Sequence, residues 1–304
     1  MKRKNLQLAG VYTAIVTPFR DGRIDEPAFK QLIKWQVAAG VDGIVPVGTT
    51  GESPTLDFDE HLRVIALAVK FAAGKIKVMA GTGGNATTEA IDLTQAAEKL
   101  GVDASLQVAP YYNKPMPEGL FRHFSQIASN TNLPIMLYSI PGRCGVEIGV
   151  DTVKRLVAGH SNIIGIKEAG GNVDRVSQLY AALGREFTIL CGDDSLTLPF
   201  MAVGARGVVS VASNVIPREV VHMVHACMMG SNGLEYSSIA LDLHYRFYPL
   251  FKDLFIETNP APVKAALAMM GIIQDELRLP LVPISSASRK KLEKTMRECG
   301  ALMQ

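Results

Sequence analysis

The sequence predicts an α/β fold, a (β/α)8 TIM barrel followed by a C-terminal helical appendage. Eight short β-rich runs recur between Gly10 and Ser213, and amphipathic helical patterns lie between them. An open doubly wound sheet usually has fewer strands, so this count favours a closed barrel. After Val215 only helical patterns remain, which predicts a catalytic barrel over residues 1–229 and a helical domain over residues 230–304.

Each β-rich run is short and apolar enough to form a buried parallel strand. The predicted strands are Gly10–Phe19, Asp42–Gly48, Lys77–Gly83, Ala104–Tyr112, Pro134–Ile140, Ile163–Ala169, Thr188–Asp194 and Gly207–Ser213. Several helical patterns between the strands open on a residue suited to capping, and they include Asp25–Ala39, Asp57–Ala72, Thr87–Leu100 and Glu118–Asn130. The predicted C-terminal helices are Pro217–Met229, Leu234–Phe255, Pro262–Met270 and Ser286–Cys299. Gly and Asn residues interrupt the pattern at Met228–Gly233, the predicted hinge.

Composition indicates an ordinary globular protein. Of the 304 residues, 48% are hydrophobic and 20% are charged. A chain of this length and composition can bury a large core and needs no disulfide or metal ion for stability. A net charge of +2 argues against a nucleic-acid partner, and the basic start Lys2–Lys4 is predicted to be a solvated tail. No uncharged apolar run reaches the ~18 residues of a membrane span, and no signal core is present at the N-terminus. We therefore predict a cytoplasmic protein without membrane contact.

The cysteines and histidines form neither a disulfide framework nor a metal-binding pattern. No C-x-x-C pair occurs among the four cysteines, which are Cys144, Cys191, Cys227 and Cys299. This spacing favours free thiols in a reducing compartment. His222 and His225 can share one helical face, but no third ligand matches them, so no metal site is predicted.

One charged residue interrupts an otherwise apolar strand. Lys167 lies near the end of Ile163–Ala169, on the same strand face as Ile163 and Gly165. Gly165 is therefore expected to leave space beside the lysine. A primary amine in a dry pocket loses part of its preference for the charged form, and the neutral amine can attack a ketone to give a Schiff base. The alternative is a lysine that extends to water at the strand end or pairs with a carboxylate.

Further polar groups are predicted at the same rim, because the C-terminal strand ends of a (β/α)8 barrel carry its chemistry. They are Thr49, Thr50, Tyr112, Tyr138 and Arg143. Thr49 and Thr50 belong to Gly48–Ser53, whose glycines let amides and hydroxyls converge on a carboxylate. Arg143 suits a bidentate grip on another carboxylate. The structural alternatives are a capped loop for the threonines, core packing for Tyr138 and a surface ion pair for Arg143.

The segment Gly81–Ala86 fits the G-x-G-x-x-A pattern of dinucleotide-binding loops, with Asp103 at about the expected distance downstream. In a nucleotide-binding fold, however, the acidic residue should end the next strand. Asp103 instead precedes the Ala104–Tyr112 run. We therefore do not expect this protein to bind NAD.

Several motifs together resemble the dihydrodipicolinate synthase family of class I pyruvate-dependent aldolases. They occur in family order and at family spacing, and they are Gly48–Ser53, Pro110–Pro115, Tyr138–Arg143, Gly165–Ala169 and Gly192–Asp194. The resemblance covers nearly the whole chain, because Asn259–Lys264 matches the helical C-terminal region of the family. Three positions depart from common family residues without removing a named catalytic group, namely Ser139, Cys144 and Gly170.

The resemblance implies a lyase that condenses pyruvate with L-aspartate 4-semialdehyde, on the diaminopimelate route to lysine. Lys167 would form the imine with pyruvate, which requires no metal or organic cofactor. Tyr138 would transfer protons at the imine, linked through Thr49 to Tyr112, which in the family comes from the neighbouring subunit. The residues that would bind substrate are Thr50 for the pyruvate carboxylate, Arg143 for the semialdehyde carboxylate, and Gly192 and Val209.

The resemblance also implies a homotetramer, built as a dimer of dimers, and inhibition by lysine. In lysine-inhibited relatives a cleft at the dimer seam uses residues that match Ser53, His61, Asn85, Glu89 and Tyr111. Pro54 and Phe58 stand where alanine and histidine are common in that cleft. The alternative is that these polar residues only hold the interface together.

Two rival functions are weighed against this interpretation. N-acetylneuraminate lyase and the keto-deoxy-sugar aldolases share the lysine and a similar loop at Gly48–Ser53, but they generally lack the Pro-Gly-Arg element that ends at Arg143. A catalytically silent barrel that binds a keto acid as a sensor is the other rival. The complete set of catalytic side chains around Lys167 argues against it.

Overall fold

The computed structural model describes residues 8–229 and 234–302, without the side chains of residues 234–237. Within these ranges the strands, in chain order, are β1 (Gly10–Thr13), β2 (Phe19–Arg20), β3 (Arg23–Ile24), β4 (Gly43–Ile44), β5 (Lys77–Gly81), β6 (Ala104–Val108), β7 (Ile135–Ser139), β8 (Ile163–Glu168), β9 (Thr188–Cys191) and β10 (Gly207–Ser210). Eight of these strands pair in parallel in the order β1-β10-β9-β8-β7-β6-β5-β4, and β1 pairs with β4 to close the barrel. The predicted barrel is confirmed.

Helices cover the outside of the barrel and continue beyond it. Among the described residues they are α1 (Glu26–Ala39), α2 (Phe58–Ala72), α3 (Thr87–Leu100), α4 (Pro117–Ser129), α5 (Pro141–Cys144), α6 (Val150–Gly159), α7 (Val173–Leu183), α8 (Thr197–Ala202), α9 (Pro217–Met229), α10 (Leu234–Asp253), α11 (Ala261–Met269) and α12 (Ser286–Cys299). Asp25 caps α1 by accepting from the Ala28 amide, and Asp57 forms a capping box with Glu60 at α2. Among these described helices, none combines the length and the apolar character that crossing a bilayer requires.

All eight predicted strands exist, but each ends earlier than its β-rich run. The chain leaves the sheet where its backbone turns outward, as in the short 3-10 turns Ser53–Thr55, Asp194–Leu196 and Ala212–Asn214. The run Gly10–Phe19 also divides, because Phe19 pairs with Ile24 in the separate β2–β3 hairpin. The residues lost from the strands are those that form the rim of the barrel.

The C-terminal helices pack on the barrel and on one another. α10 contacts α9 and α12, and α11 contacts α12 and the turn Ala212–Asn214. The division between residues 229 and 230 stays a prediction, and most of the predicted hinge, residues 230–233, lies outside the described residues. The packing matters for function because Phe255 and Asn259, from the segment between α10 and α11, line the cavity beside Lys167.

Candidate active site

Lys167 and Tyr138 lie next to each other on adjacent strands. The register of β7 and β8 places Tyr138 opposite Lys167, and the lysine Nζ is 4.0 Å from the centroid of the tyrosine ring. Lys167 is only 7% exposed, so its amine does not extend into open solvent. The adjacent carboxylate, Glu168, pairs instead with Arg175 at 2.7 Å. The geometry therefore favours a buried amine over a lysine that extends to water or pairs with a carboxylate.

The space beside Lys167 comes from Gly192 rather than from Gly165. A Cβ atom on Gly192 would lie 3.1 Å from Lys167 Cε and 2.6 Å from Ala169 Cβ. A Cβ atom on Gly165 would instead lie 2.5 Å from the Thr188 carbonyl oxygen and 2.9 Å from Met136 Cε. The expectation for Gly165 was wrong, because its missing side chain accommodates strand packing deeper in the barrel.

A small inner cavity of about 50 Å³ lies beside Lys167. Six residues predicted for the site line it, namely Lys167, Tyr138, Thr49, Thr50, Arg143 and Gly192. Val209 is buried in β10 and does not line this cavity, whereas Val211 does. The sequence did not point individually to three further lining residues, Val211, Phe255 and Asn259. The only signal for Asn259 was its place at the start of the C-terminal motif Asn259–Lys264.

A wider cavity of about 220 Å³ shares Thr49, Tyr138 and Arg143 with the inner one. Its other lining residues include Ser53 and Tyr111 of the predicted lysine cleft, together with Pro54 and Cys144. The two cavities together offer a deep position at Lys167 and a wider approach beside Arg143. Such an arrangement suits two small ligands that meet at one amine.

The two adjacent tyrosines after β6 point in different directions, as predicted. Tyr111 lines the wider cavity, whereas Tyr112 is 91% exposed and lines neither cavity. The backbone of Tyr112 has a φ of +73°, a left-handed conformation that is unfavourable for a bulky residue. Within its own chain, therefore, Tyr112 does not complete the predicted proton relay.

The Gly48–Ser53 loop is held in place by residues from the C-terminal segment. Glu52 and Lys264 form an ion pair at 2.5 Å, and both side chains are 0% exposed. The other Glu52 oxygen accepts from the Arg278 amide at 3.1 Å. Burial lowers the pKa of Lys264, and the Glu52 carboxylate opposes that effect. The loop that carries Thr49 and Thr50 is therefore fixed by a buried charge pair.

Asp194 holds the ends of β9 and β10 together. Its buried carboxylate accepts from Ser210 Oγ at 2.5 Å and from the amides of Val211 and Ala212 at 2.9 and 3.0 Å. Burial raises the pKa of Asp194 to about 6 even though these hydrogen bonds favour the charged form. The carboxylate fixes the turn that places Val211 at the inner cavity.

Of the five residues predicted for the lysine cleft, Ser53 and Tyr111 line the wider cavity, whereas Asn85, Glu89 and His61 do not. Asn85 Nδ2 donates to the Tyr111 carbonyl at 3.2 Å. Glu89 Oε2 lies 3.6 Å from the position that a Cβ on Gly84 would occupy. His61 is buried with its Nε2 2.8 Å from the Gly81 carbonyl, and desolvation lowers the pKa of its ring. His61 thus supports the end of β5, whereas Ser53 and Tyr111 line the cavity directly.

The G-x-G-x-x-A segment has a packing role. A Cβ on Gly81 would lie 2.5 Å from the Val47 carbonyl oxygen, and one on Gly83 would lie 2.4 Å from the Val108 amide nitrogen. Asp103 bonds to Lys77 Nζ and to the Val78 amide, at the start of β5. Asp103 therefore lies at the opposite end of β5 from Gly81, and not where the acidic residue of a dinucleotide-binding fold would stand.

The candidate metal ligands do not assemble in the part of the chain that the structure describes. No group of three His, Cys, Asp or Glu side chains there is placed to hold a metal ion. His225 instead lies 3.2 Å from Asp42, with Nε2 towards Oδ2. All four cysteines are free thiols.

Comparison with known proteins agrees with the resemblance inferred from the motifs. The sequence profile of the Dihydrodipicolinate synthetase family matches residues 7–299. A relative from Thermodesulfovibrio yellowstonii, named 4-hydroxy-tetrahydrodipicolinate synthase, is 49% identical over 293 residues, covering 96% of this chain and 99% of its own.

Two solved structures extend the comparison to the fold. The 4-hydroxy-tetrahydrodipicolinate synthase of Methylacidiphilum fumariolicum SolV is 56% identical with a TM-score of 0.93, covering 97% of this chain and 96% of its own. The dihydrodipicolinate synthase of Cyanidioschyzon merolae, solved with lysine bound, is 39% identical with a TM-score of 0.92, covering 97% of this chain and 99% of its own. With the profile match and the barrel rim described above, the chain belongs to the dihydrodipicolinate synthetase family.

Proposed function

We infer that this chain is a class I aldolase-type lyase that condenses pyruvate with L-aspartate 4-semialdehyde, the 4-hydroxy-tetrahydrodipicolinate synthase reaction. One observation carries the inference: Lys167 is buried against Tyr138 in a cavity that Thr49, Thr50 and Arg143 also line. A buried amine beside a phenol suits imine chemistry, and a hydroxyl and a guanidinium suit two carboxylates. Each of the two proposed substrates carries one carboxylate, which Thr50 or Arg143 could bind.

Different residues of the site bind the two substrates. Lys167 forms the imine with pyruvate while Thr50, at the bottom of the cavity, holds the pyruvate carboxylate. The Tyr138 ring lies 4.0 Å from the amine, and its hydroxyl moves protons as the imine forms and breaks. Arg143 lies at the boundary with the wider cavity, where the aldehyde enters, and binds its carboxylate. Gly192 leaves room for the lysine side chain.

Replacement of Arg143 by alanine tests the identity of the aldehyde. We expect kcat/KM for aspartate semialdehyde to fall roughly 10- to 100-fold, because a charge-assisted contact contributes about 1.5–3 kcal/mol. Adduct formation with pyruvate alone should survive. The measurement is steady-state kinetics with a panel of acceptors that includes N-acetylmannosamine and short sugar aldehydes. Equal turnover of the semialdehyde by parent and variant, or preference of the parent for a sugar aldehyde, would favour the sibling aldolases.

We propose that Tyr112 completes the active site of a neighbouring subunit within a homotetramer built as a dimer of dimers. The proposal is supported by the 91% exposure of Tyr112 and by its left-handed backbone, a conformation that needs a compensating contact. We expect Tyr112→Phe to lower turnover on the order of 100-fold while pyruvate adduct formation remains, since the phenol transfers protons.

Subunit mixing tests whether the tyrosine acts across the interface. Tyr112→Phe and Lys167→Ala chains, mixed equally and allowed to exchange, should regain about a quarter of parent activity, because half of the dimers are hybrids with one intact site each. Proven exchange without recovery would mean that each site is built within one chain. Analytical ultracentrifugation of the parent would give the assembly state.

We propose that lysine binds beside the wider cavity and partly inhibits the enzyme. Ser53 and Tyr111 line that cavity, Asn85 bonds to Tyr111, and Glu89 offers a carboxylate for an ammonium group. We expect calorimetric titration with millimolar lysine to show binding that Glu89→Ala weakens roughly tenfold or more. Absence of both heat and inhibition would mean that these residues serve only the interface.

A cytoplasmic location of the protein remains a further prediction.

A further inference from the structure

Asn259 lies between the two groups that the proposed function assigns to carboxylates. It is 5% exposed, precedes α11, and lines the inner cavity together with Lys167. Its side-chain Nδ2 donates to Thr50 Oγ1 at 3.1 Å. Its carbonyl oxygen lies 3.5 Å from Arg143 Nη2. One residue from the C-terminal segment therefore contacts both sides of the site.

The other end of the Asn259 amide lacks a partner within the described part of the chain. Oδ1 is buried and accepts no hydrogen bond there. A buried acceptor left in this state costs about 1–3 kcal/mol, and native structures pair such groups with protein, water or ligand. Because Nδ2 is already committed to Thr50, the free acceptor is available to a ligand that donates a hydrogen bond.

The chemistry of the two substrates identifies that donor. Pyruvate has a carboxylate and a ketone and therefore donates no hydrogen bond. The semialdehyde carries an amino group on the same carbon as the carboxylate that Arg143 binds, so this amino group must lie close to Arg143. Neither cavity has an Asp or Glu among the described residues that line it. The amino group must then donate its hydrogen bond to a neutral oxygen near Arg143.

We propose that Asn259 Oδ1 accepts a hydrogen bond from the amino group of the aldehyde substrate. This inference rests on the proposed function and adds a residue that selects an α-amino aldehyde over its deaminated analogue. The opposite end of the same amide orients Thr50: because Nδ2 occupies a lone pair of Oγ1, the hydroxyl hydrogen is free for the pyruvate carboxylate. Asn259 is thus a contact for one substrate and a positioning residue for the other.

The test compares L-aspartate 4-semialdehyde with succinate semialdehyde, which has the same chain and carboxylate but no amino group. Single-turnover condensation is followed on enzyme preloaded with pyruvate, by mass spectrometry of the adduct on Lys167 and of released product. For Asn259→Ala we expect the apparent affinity for the amino aldehyde to fall roughly 10- to 100-fold, with less than a threefold change for succinate semialdehyde. Arg143→Ala is the matched control and should weaken both aldehydes by similar factors.

The outcomes separate this inference from the proposed function. If the parent forms no pyruvyl adduct or does not use the semialdehyde, the proposed function is wrong. If the parent is active and Asn259→Ala weakens both aldehydes equally, with a raised KM for pyruvate, then Asn259 acts only through Thr50 and the inference is wrong. Asn259→Ser, whose short hydroxyl cannot serve Thr50 and the ligand together, should give the same selective loss if the alanine variant does not fold.

Discussion

Lys167→Ala is expected to lower turnover on the order of 10⁴-fold or more and to abolish covalent capture of pyruvate. Without the amine there is no imine, so the remaining residues can only hold the two substrates together, and binding alone leaves a small residual rate. The variant should still fold, because Lys167 Nζ lies against the Tyr138 ring rather than in a buried charge pair. Loss of activity would then report chemistry rather than collapse of the barrel.

Borohydride trapping provides the measurement. Incubation of the parent with pyruvate and borohydride, followed by peptide mass spectrometry, should show a reduced pyruvyl group on Lys167. Lys264 is a built-in control, since it is 0% exposed yet paired with Glu52. Burial alone should not make a lysine reactive, so Lys264 should remain unlabelled. A label on another lysine would contradict the role of Lys167, and no label at all would favour a silent keto-acid-binding barrel.

Lys264→Met is expected to destabilise the protein by about 3–5 kcal/mol, the largest loss of stability that we predict. The substitution removes the partner of a carboxylate that is 0% exposed, and the Glu52 charge cannot reach water. Lys264 Nζ also lies 4.3 Å from the centroid of the Phe19 ring, a cation–π contact that methionine would not reproduce. Because Glu52 follows Thr49 and Thr50, we also expect a raised KM for pyruvate.

Two further variants show whether the cost arises from the unpaired charge. The double variant Glu52→Gln with Lys264→Met should recover much of the lost stability, since no charge then stays buried and the amide oxygen can still accept from Arg278. Lys77→Met breaks the exposed pair with Asp103, whose side chains are 47% and 32% exposed, and should cost less than about 1 kcal/mol. Urea denaturation measures all three. Equal losses for Lys264→Met and Lys77→Met would show that the buried pair is not special.

The helices were easier to predict than the strand ends. α1 and α2 begin beside the residues predicted to cap them, because a cap is a local contact between a side chain and an amide three residues away. The strands stop earlier than their apolar runs, since a run such as Ala104–Tyr112 stays apolar while its backbone leaves the sheet. Apolar periodicity indicates burial, whereas the end of a strand depends on where its neighbour stops pairing.

The residues that the sequence predicted at the strand ends of several β/α units do lie together, and their catalytic roles remain predictions. Lys167, Tyr138, Thr49, Thr50 and Arg143 meet at the inner cavity, because the C-terminal ends of barrel strands converge. The sequence analysis assigned the space beside Lys167 to Gly165, but that space comes from Gly192. Alternation along one strand does not show which residue of the neighbouring strand lies beside the lysine. For Tyr112 a single chain shows only exposure, and its role in a partner subunit remains a proposal.

The sequence by itself determined the barrel, its order of strands and helices, and the lysine around which the rim is arranged, because periodicity and capping act over a few residues. Only the tertiary structure decided which distant residues complete the site. Asn259 reaches Thr50 across 209 positions, and Lys264 reaches Glu52 across 212. Such contacts have no local pattern: they form because α11 packs over the rim of a closed barrel, and that packing depends on the shape of the whole core.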